Sequence, residues 1–476
     1  MGLFDRFRST TESNRTAAVE HDATRLITQG QAFEAQGQLD QALQYYLEAI
    51  QIAPNPARAH LNLGNVLLLK GDLPGALDAF STAIKHKPDY AGAYYNMGNA
   101  LLGNGQYQEA AASYRHALDI QPDYAEVHCV LGIALKELRQ FDDAIACFKQ
   151  ALDINPDLVE AHLNLGSLLL SLGRYSEAWP EYEARYDPSY SGRQSIPPDF
   201  PFPRWRGESL RNKSIVIWPE QGFGDEIQFA RYIPMLKTLG VSHITLVCTS
   251  PLKVLLGTLE GNDAVFSVSE AASVPLHDYW AFPMSLPQYF SPTVGTIPAK
   301  LPYLHAPPER LKQWRTRLPA SGLKVGLVWK GKTAPNPRRS LPNLATLAPL
   351  WSVPGVTFIS LQKGPGEDEG VTPPVGQPLL HLGSDIVDFA DTAAIVAQLD
   401  LVICIDTAIA HLAGALNKSC WVLLPAIGVD WRWFHERPDS PWYPGVMRLF
   451  RQQDNNDWST TIRAVAQALT IWAKEH

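Results

Sequence analysis

Four short segments of this 476-residue chain carry residue types that could do chemistry together. Residues 401–416 read LVICIDTAIAHLAGAL: an apolar run stops at Asp406-Thr407, and a small-residue helical pattern follows with His411 near its start. A buried strand feeding a helix N-terminus offers unpaired amides and about half a positive charge, which suits a phosphate. Asp406 would repel that anion, so it either caps the helix or accepts bonds from sugar hydroxyls, while Thr407, the amides and His411 face the charge. A lone helical histidine is also a common packing residue. The second segment, Gln221-Gly222-Phe223-Gly224-Asp225, is a Gly-rich turn whose glycines permit close backbone approach to a ligand. It lacks the third glycine of a dinucleotide fingerprint, and no Walker lysine follows. Asp225 is placed either to cap the next helix or to take a proton from an acceptor nucleophile. The third segment, WKGKTAPNPRRS, gathers Lys330, Lys332, Arg338 and Arg339 ahead of Ser340. It reads as a solvated loop or as a clamp for a diphosphate. Gln362-Lys363-Gly364 is the fourth. The second part of the chain has no D-x-D pair, no G-x-S-x-G and no zinc spacing, so no metal ligand set is visible.

Such residues need strands that end where they begin. KSIVIW (213–218) and HITLVC (243–248) are β-rich runs separated by an amphipathic helical pattern, IQFARYIPMLKTLG. After an irregular Pro-rich stretch (281–307) and a helix over 308–318, KVGLVWKG, VTFISLQKG, LDLVICID and CWVLLP read as strands. LPNLATLAPLW, DFADTAAIVAQLD and DTAIAHLAGALN read as the helices between or after them. MRLFRQ adds a late strand and 457–474 a closing helix. The alternation predicts parallel sheets with crossover helices, in two halves at 213–318 and 319–476. Ligands of such sheets bind beyond the carboxyl ends of the strands. Those ends carry Glu220 to Asp225, Trp329 to Lys332, Gln362 to Gly364, and Asp406-Thr407.

The first third obeys another rule, a 34-residue period. Proline recurs at Pro54, Pro88, Pro122 and Pro156; glycine at Gly30, Gly64, Gly98, Gly132 and Gly166; alanine at Ala42, Ala76, Ala110, Ala144 and Ala178. An aromatic recurs at Tyr46, Phe80, Tyr114, Phe148 and Tyr182. Small residues let two antiparallel helices approach, the aromatic fills the gap between repeats, and proline closes each unit. The array is expected over 23–190, after a flexible tail at 1–22 and before a Pro-rich linker at 191–212 that Trp205 anchors. Asn62, Asn96 and Asn164 occupy one repeat position on the face that looks into the groove. Their amides could hold an extended peptide, or the face could serve scaffolding or self-association. Trp179, Tyr182 and Tyr186 are expected to cap the array against the next domain.

Charge is uneven: residues 1–190 hold 24 Asp+Glu against 14 Lys+Arg, and the remainder holds 24 against 26. That argues against a polynucleotide partner while leaving room for a small anion in the second part. The five cysteines follow no metal spacing and read as reduced core residues. No secretory signal and no 18-residue apolar run is present, so the expected compartment is the cytoplasm. Leu3, Phe4 and Phe7 beside Arg6 and Arg8 read as a frayed tail or a membrane-touching cluster.

These motifs carry resemblances. The 34-residue pattern resembles the tetratricopeptide repeat (TPR). GFGDEIQFARYIPML and IDTAIAHLAGAL resemble the G-D turn and the phosphate segment of glycosyltransferase family nine, the bacterial heptosyltransferases. The layout is similar to the O-linked N-acetylglucosamine transferases. It is most similar to bacterial TPR proteins with a family-nine-like domain, whose frames W-P-E-Y-E, E-Q-G-x-G-D-x-I-Q-F-A-R-Y, F-[IV]-S-L-Q-K-G, D-F-A-D-T-A-A and D-S-P-W-Y-P begin here at Trp179, Glu220, Phe358, Asp388 and Asp439. The resemblance implies an α plus α/β chain: a TPR superhelix followed by a GT-B transferase of two Rossmann-like halves. It implies inverting, metal-independent transfer from a nucleotide sugar, with no cofactor, to a protein or peptide held by the TPR groove. Asp225 matches the family's base. Asp406, Thr407 and His411 match its donor-phosphate segment, and His411 joins Asp225 as a catalytic candidate. Gly222, Gly224, Trp329, Lys332, Arg339, Gln362 and Lys363 complete the expected donor site, the last two near the nucleoside. A TPR adaptor with a degenerate transferase domain, and a glycan- or lipopolysaccharide-assembly enzyme, are the alternatives.

Overall fold

The structure, a computed structural model, describes the chain except residues 1–2, 54, 193–194, 332–338 and 454–456, and it describes no side chain among residues 1–17. The expectations placed on Pro54, Lys332, Arg338 and the Leu3/Phe4/Phe7 cluster therefore lie outside the described residues. The chain divides into two compact units, Met1–Leu165 and Gly166–His476.

The first unit is a row of antiparallel helix pairs. Its opening helix, Leu3–Ala35, takes in most of the segment expected to be a tail. Residues 3–29 contain neither Gly nor Pro, so nothing in that stretch breaks a helix. Pairing is set by one notch per repeat. A Cβ at Gly30 would lie 2.5 Å from the Tyr46 ring, one at Gly64 2.5 Å from Phe80, and one at Gly132 2.6 Å from Phe148. The aromatic thus sits over the glycine of its own repeat and also joins apolar residues of the next, Tyr46 with Ala59 and Val66, and Phe80 with Ala100. The turn joining the two helices needs a left-handed residue, supplied by Gly71 at φ +83° and, in the fourth repeat, by Arg139 at φ +60°.

The second unit contains two all-parallel sheets. The first consists of β1 (Ser214–Ile217), β2 (His243–Cys248), β3 (Ala264–Ser267) and β4 (Tyr279–Ala281), in the order β3-β2-β1-β4. The second consists of β5 (Leu323–Val328), β6 (Val356–Ser360), β7 (Leu380–His381), β8 (Leu401–Ile405), β9 (Cys420–Leu424) and β10 (Met447–Arg451), in the order β10-β9-β8-β5-β6-β7. The strand order reverses at β1/β4 in one sheet and at β5/β8 in the other, the positions where open parallel sheets leave a crevice for ligands. β3, β4 and β7 went unread in the sequence, being only two to four residues long and partly exposed. The helix expected over LPNLATLAPLW is a 3-10 segment, Leu344–Ser352, with Pro349 inside it, where proline removes an α-helical donor. The second sheet's core gathers Val325, Leu327, Trp329, Leu401, Ile403 and Ile405 with Ile462 and Leu469 of the last helix, Ser459–Glu475.

The fifth repeat's second helix, Tyr175–Tyr182, belongs to this second unit. Trp179 meets the rings of Phe229 and Trp431 edge-on at 6.3 and 5.7 Å, and Tyr175 lies 6.0 Å from Trp442. Tyr186 stacks on Phe282 at 4.5 Å. Trp205 is buried and donates its indole N–H to Glu208 O at 2.8 Å, as expected of a linker anchor. All five cysteines are free, and all but Cys147 are buried. Among the described residues no helix is long and apolar enough to cross a membrane.

Candidate functional site

Two switch-point turns meet. After β1 the backbone bends through Gln221, at φ +57°, into the helix Phe223–Phe229. After β8 it enters the helix Ala408–Ala415 through Thr407. These two helices pack so closely that a Cβ at Gly224 would lie 2.9 Å from His411 Cδ2 and 3.5 Å from Ala408 Cα. Gly224 is therefore a close-approach glycine against a helix, whereas Gly222, the N-cap residue, is exposed.

Asp225 uses both oxygens. Oδ2 accepts the Gly222 N–H at 2.9 Å, so Asp225 closes the first turn from the third helical position while Gly222, not Asp225 as expected, is the N-cap residue; Oδ1 accepts Arg432. Burial pushes its pKa above the ordinary carboxylate value even though Arg432 and the Gly222 amide pull the other way. Asp406 does not cap its helix. Its carboxylate lies 3.4 Å from Arg339 Nη1, and burial raises its pKa against that guanidinium. Thr407 occupies the N-cap position, but its side chain makes no capping bond and its Oγ1 is buried without a partner. Among the described residues the first amides of Ala408–Ala415 are thus left without a side-chain acceptor.

His411 lies on the helix Ala408–Ala415. It is buried, its Nδ1 lies 2.9 Å from the Tyr443 hydroxyl, and its ring stacks on Trp433 at 5.3 Å. Burial, with Arg432 nearby, depresses its pKa to about 3, so the imidazole is neutral and can act on an anion only as a hydrogen-bond donor.

Two residues escaped the sequence reading. Asp430 caps the turn Trp431–Trp433 by accepting the Arg432 N–H, and it also pairs with Arg432 Nη1 at 2.8 Å and Arg339 Nη2 at 3.6 Å. Burial works to raise Asp430, but Arg432 and Arg339 more than offset it and hold it below the usual range. Arg432 joins Asp225 and Asp430 across 204 intervening positions of chain, so only the run D-W-R-W hinted at it.

Other donor-site expectations fare differently. Trp329 lies fully buried in the second sheet's core, so it offers no face to a ligand. Gln362 is also buried: its Oε1 accepts the N–H groups of Trp329 and Lys330 at 3.0 Å, and its Nε2 donates to Lys330 O and Pro365 O. It clamps two strand ends together and has no polar atom to spare, which corrects its nucleoside role. Lys363 is exposed, with Nζ 3.5 Å from Gly383 O. In the first unit, Asn62 Nδ2 is buried without a partner, Asn96 donates to Asn65 at 2.8 Å, and Asn164 folds back to Glu160 O at 2.7 Å. The three share a repeat position but not a bonding state.

Family models described as tetratricopeptide or TPR repeats match residues 30–71, 64–105, 89–157 and 129–193. The N-terminal region is a TPR array. The chain is 31% identical over 331 residues to protein FlbA of Caulobacter vibrioides, covering 62% of this chain and 52% of that protein. It therefore spans about half the length of that relative. Among solved structures, MamA 41-end from Desulfovibrio magneticus is 23% identical and covers 35% of this chain and 97% of that one, with a TM-score of 0.32. Pseudomonas aeruginosa pilF is 22% identical, covers 35% and 76%, and has a TM-score of 0.34. YrrB, described as a TPR protein with an unusual peptide-binding site, is 22% identical, covers 38% and 88%, and has a TM-score of 0.29.

Proposed function

We propose that the second unit is a GT-B glycosyltransferase that moves a sugar from a nucleotide-sugar donor to a protein or peptide captured by the TPR array. One observation carries the reading. A half-buried carboxylate with a raised pKa, Asp225, follows the switch-point strand of one sheet. It stands against an uncapped helix N-terminus at the switch point of the other and pairs with Arg432 of the turn after β9, with Arg339 next in the row. In the reaction the acceptor O–H or N–H loses its proton to Asp225. The acceptor atom bonds to the anomeric carbon from the face opposite the leaving group. The C–O bond to the diphosphate breaks with its electron pair, and configuration inverts. The first amides of Ala408–Ala415 and Arg339 stabilise the departing nucleoside diphosphate, with neutral His411 adding at most a hydrogen bond. No metal takes part in this scheme.

The full-length chain, assayed with a panel of nucleotide sugars, is expected to release nucleoside diphosphate from at least one. Asp225→Asn should slow that release by about 10²- to 10⁴-fold, the usual worth of a general base, with diphosphate affinity kept within about threefold. Unchanged turnover would remove Asp225 as the base. Failure of every nucleoside diphosphate to bind sinks the enzyme reading. A TPR adaptor is the second reading, favoured because Asp225, Asp406 and Asp430 are all paired internally and Gly224 packs on His411. It predicts partner capture without turnover, indifferent to Asp225→Asn.

A further inference from the structure

Five groups of alternating sign stand in a row across the two sheets: Asp225, Arg432, Asp430, Arg339 and Asp406. Each inner member is shared. Arg432 serves Asp225 and Asp430, Asp430 serves Arg432 and Arg339, and Arg339 serves Asp430 and Asp406. The ends differ in grip. Arg432 is 7% exposed, and its Nε also donates to the Gln228 side chain. Arg339 is 34% exposed, holds its carboxylates only at 3.4 and 3.6 Å, and has a buried Nε without a partner among the described residues. It is the loose, solvent-reached member, and it stands beside the uncapped N-terminus of Ala408–Ala415. Three carboxylates share two guanidinium groups, so a fourth anionic group entering at Arg339 competes with Asp430 and Asp406 for its charge.

We infer that Asp430 and Arg432 are positioning residues for Asp225, and that an anion taken at Arg339 passes Arg432 from Asp225 to Asp430, freeing the Asp225 carboxylate. The inference rests on the proposed reaction. It adds an order of events, because the base is masked by a guanidinium until the leaving-group site is filled. Asp430 loses Arg339 to the anion and is left with Arg432 alone, so their pairing tightens at the expense of Asp225. Asp430 can accept the exchange because the Arg432 N–H fixes its carboxylate on the turn Trp431–Trp433. The other groups facing Asp225 do not compete for Arg432's charge. His411 is neutral, Tyr182 is a buried phenol with a raised pKa, and Glu226 bonds away to Thr249. A carboxylate that loses its guanidinium partner binds its proton more tightly and is the stronger base.

The test follows the Asp225 carboxyl in the full-length chain labelled with 13Cγ-aspartate, its resonance assigned by its loss in Asp225→Asn. Inorganic pyrophosphate should raise the titration midpoint by about one pH unit, a tenfold gain in proton affinity. Without ligand, Asp430→Asn should lower the midpoint by a similar amount, since Arg432 then has one carboxylate partner, and should abolish the pyrophosphate response. Pyrophosphate that binds by calorimetry yet leaves the midpoint unmoved overturns the inference, as does Asp430→Asn leaving the midpoint in place or raising it. Absence of pyrophosphate binding overturns it too. A pyrophosphate-linked rise in a protein that turns over no nucleotide sugar would keep the relay and discard the transferase.

Discussion

With Asp225 Oδ2 tied to its own helix and Oδ1 to Arg432, a neighbouring carboxyl, Glu226, is left to the interior. Glu226 is 5% exposed and accepts the Thr249 N–H at 3.0 Å and the Thr249 hydroxyl at 2.9 Å. Burial outweighs those bonds and lifts its pKa from 4.5 to about 7. The folded state therefore holds a proton that the unfolded chain releases. The stabilisation is fully present below pH 4.5 and is lost as pH rises through about 7, a change of about 3 kcal/mol. Glu226→Gln is expected to flatten the wild-type decline in stability between pH 4.5 and 7, read by urea unfolding at stepped pH. A variant as pH-dependent as wild type would show that Glu226 is ionised in the fold. His411 slopes the other way. Its depressed pKa contributes stability above pH 6.5 that is lost as pH falls toward about 3, so its ring resonances should not titrate between pH 5 and 8.

At the scale of elements, the repeat helices are paired by a glycine notch under an aromatic ring, and the notch makes a sharp demand. Gly64→Ala drives a methyl to 2.5 Å from Phe80, which costs about 1–3 kcal/mol in overpacking. Gly103→Ala, also helical but with no atom within 4 Å, should be neutral or stabilise by up to about 1 kcal/mol. Hydrogen exchange of peptides spanning 57–86 and 91–120 separates the two, and equal effects would show that the notch is not tight. This is why the array was legible: a steric rule repeated four times leaves a period in the sequence. Strands β5, β6, β8 and β9 were legible as largely buried apolar runs, whereas the short, partly exposed β3, β4 and β7 leave no pattern to read. The site was legible only where chemistry sits beside a strand end. Asp225, Asp406, Thr407 and Arg339 do meet, because two switch points face each other. Trp329 and Gln362 also follow strands, but the inward side of each strand end is core or backbone clamp. The Asp430–Arg432 partnership with Asp225 is a long-range pairing, and local spacing could not reveal it.

At the scale of the whole molecule, sequence period and compact unit do not share a boundary. The period counts Tyr175–Tyr182 as the fifth repeat's second helix, yet the helix lies in the second unit. Gly166 shows where the repeat rule lapses. Its nearest neighbour is the Tyr182 backbone nitrogen at 2.8 Å, not an aromatic ring as in the earlier repeats. Freed from the notch, the helix commits its rings elsewhere, with Trp179 only 2% exposed among Phe229, Trp431 and Tyr182. Energetically the helix should therefore behave as part of the α/β unit. Trp179→Ala is expected to cost about 3–5 kcal/mol, as removal of a buried tryptophan does, and to raise hydrogen exchange in peptides covering Phe223–Phe229 and Trp431–Trp433. Because those segments carry Asp225 and Arg432, the rate of the proposed transfer should fall with them. Trp179→Phe keeps an aromatic in place and removes an indole N–H that has no partner, so it should cost about 1 kcal/mol or less. If Trp179→Ala left exchange around Asp225 and Arg432 at wild-type levels, the fifth repeat would belong energetically with the array, and its aromatic contacts would be packing without influence on the site.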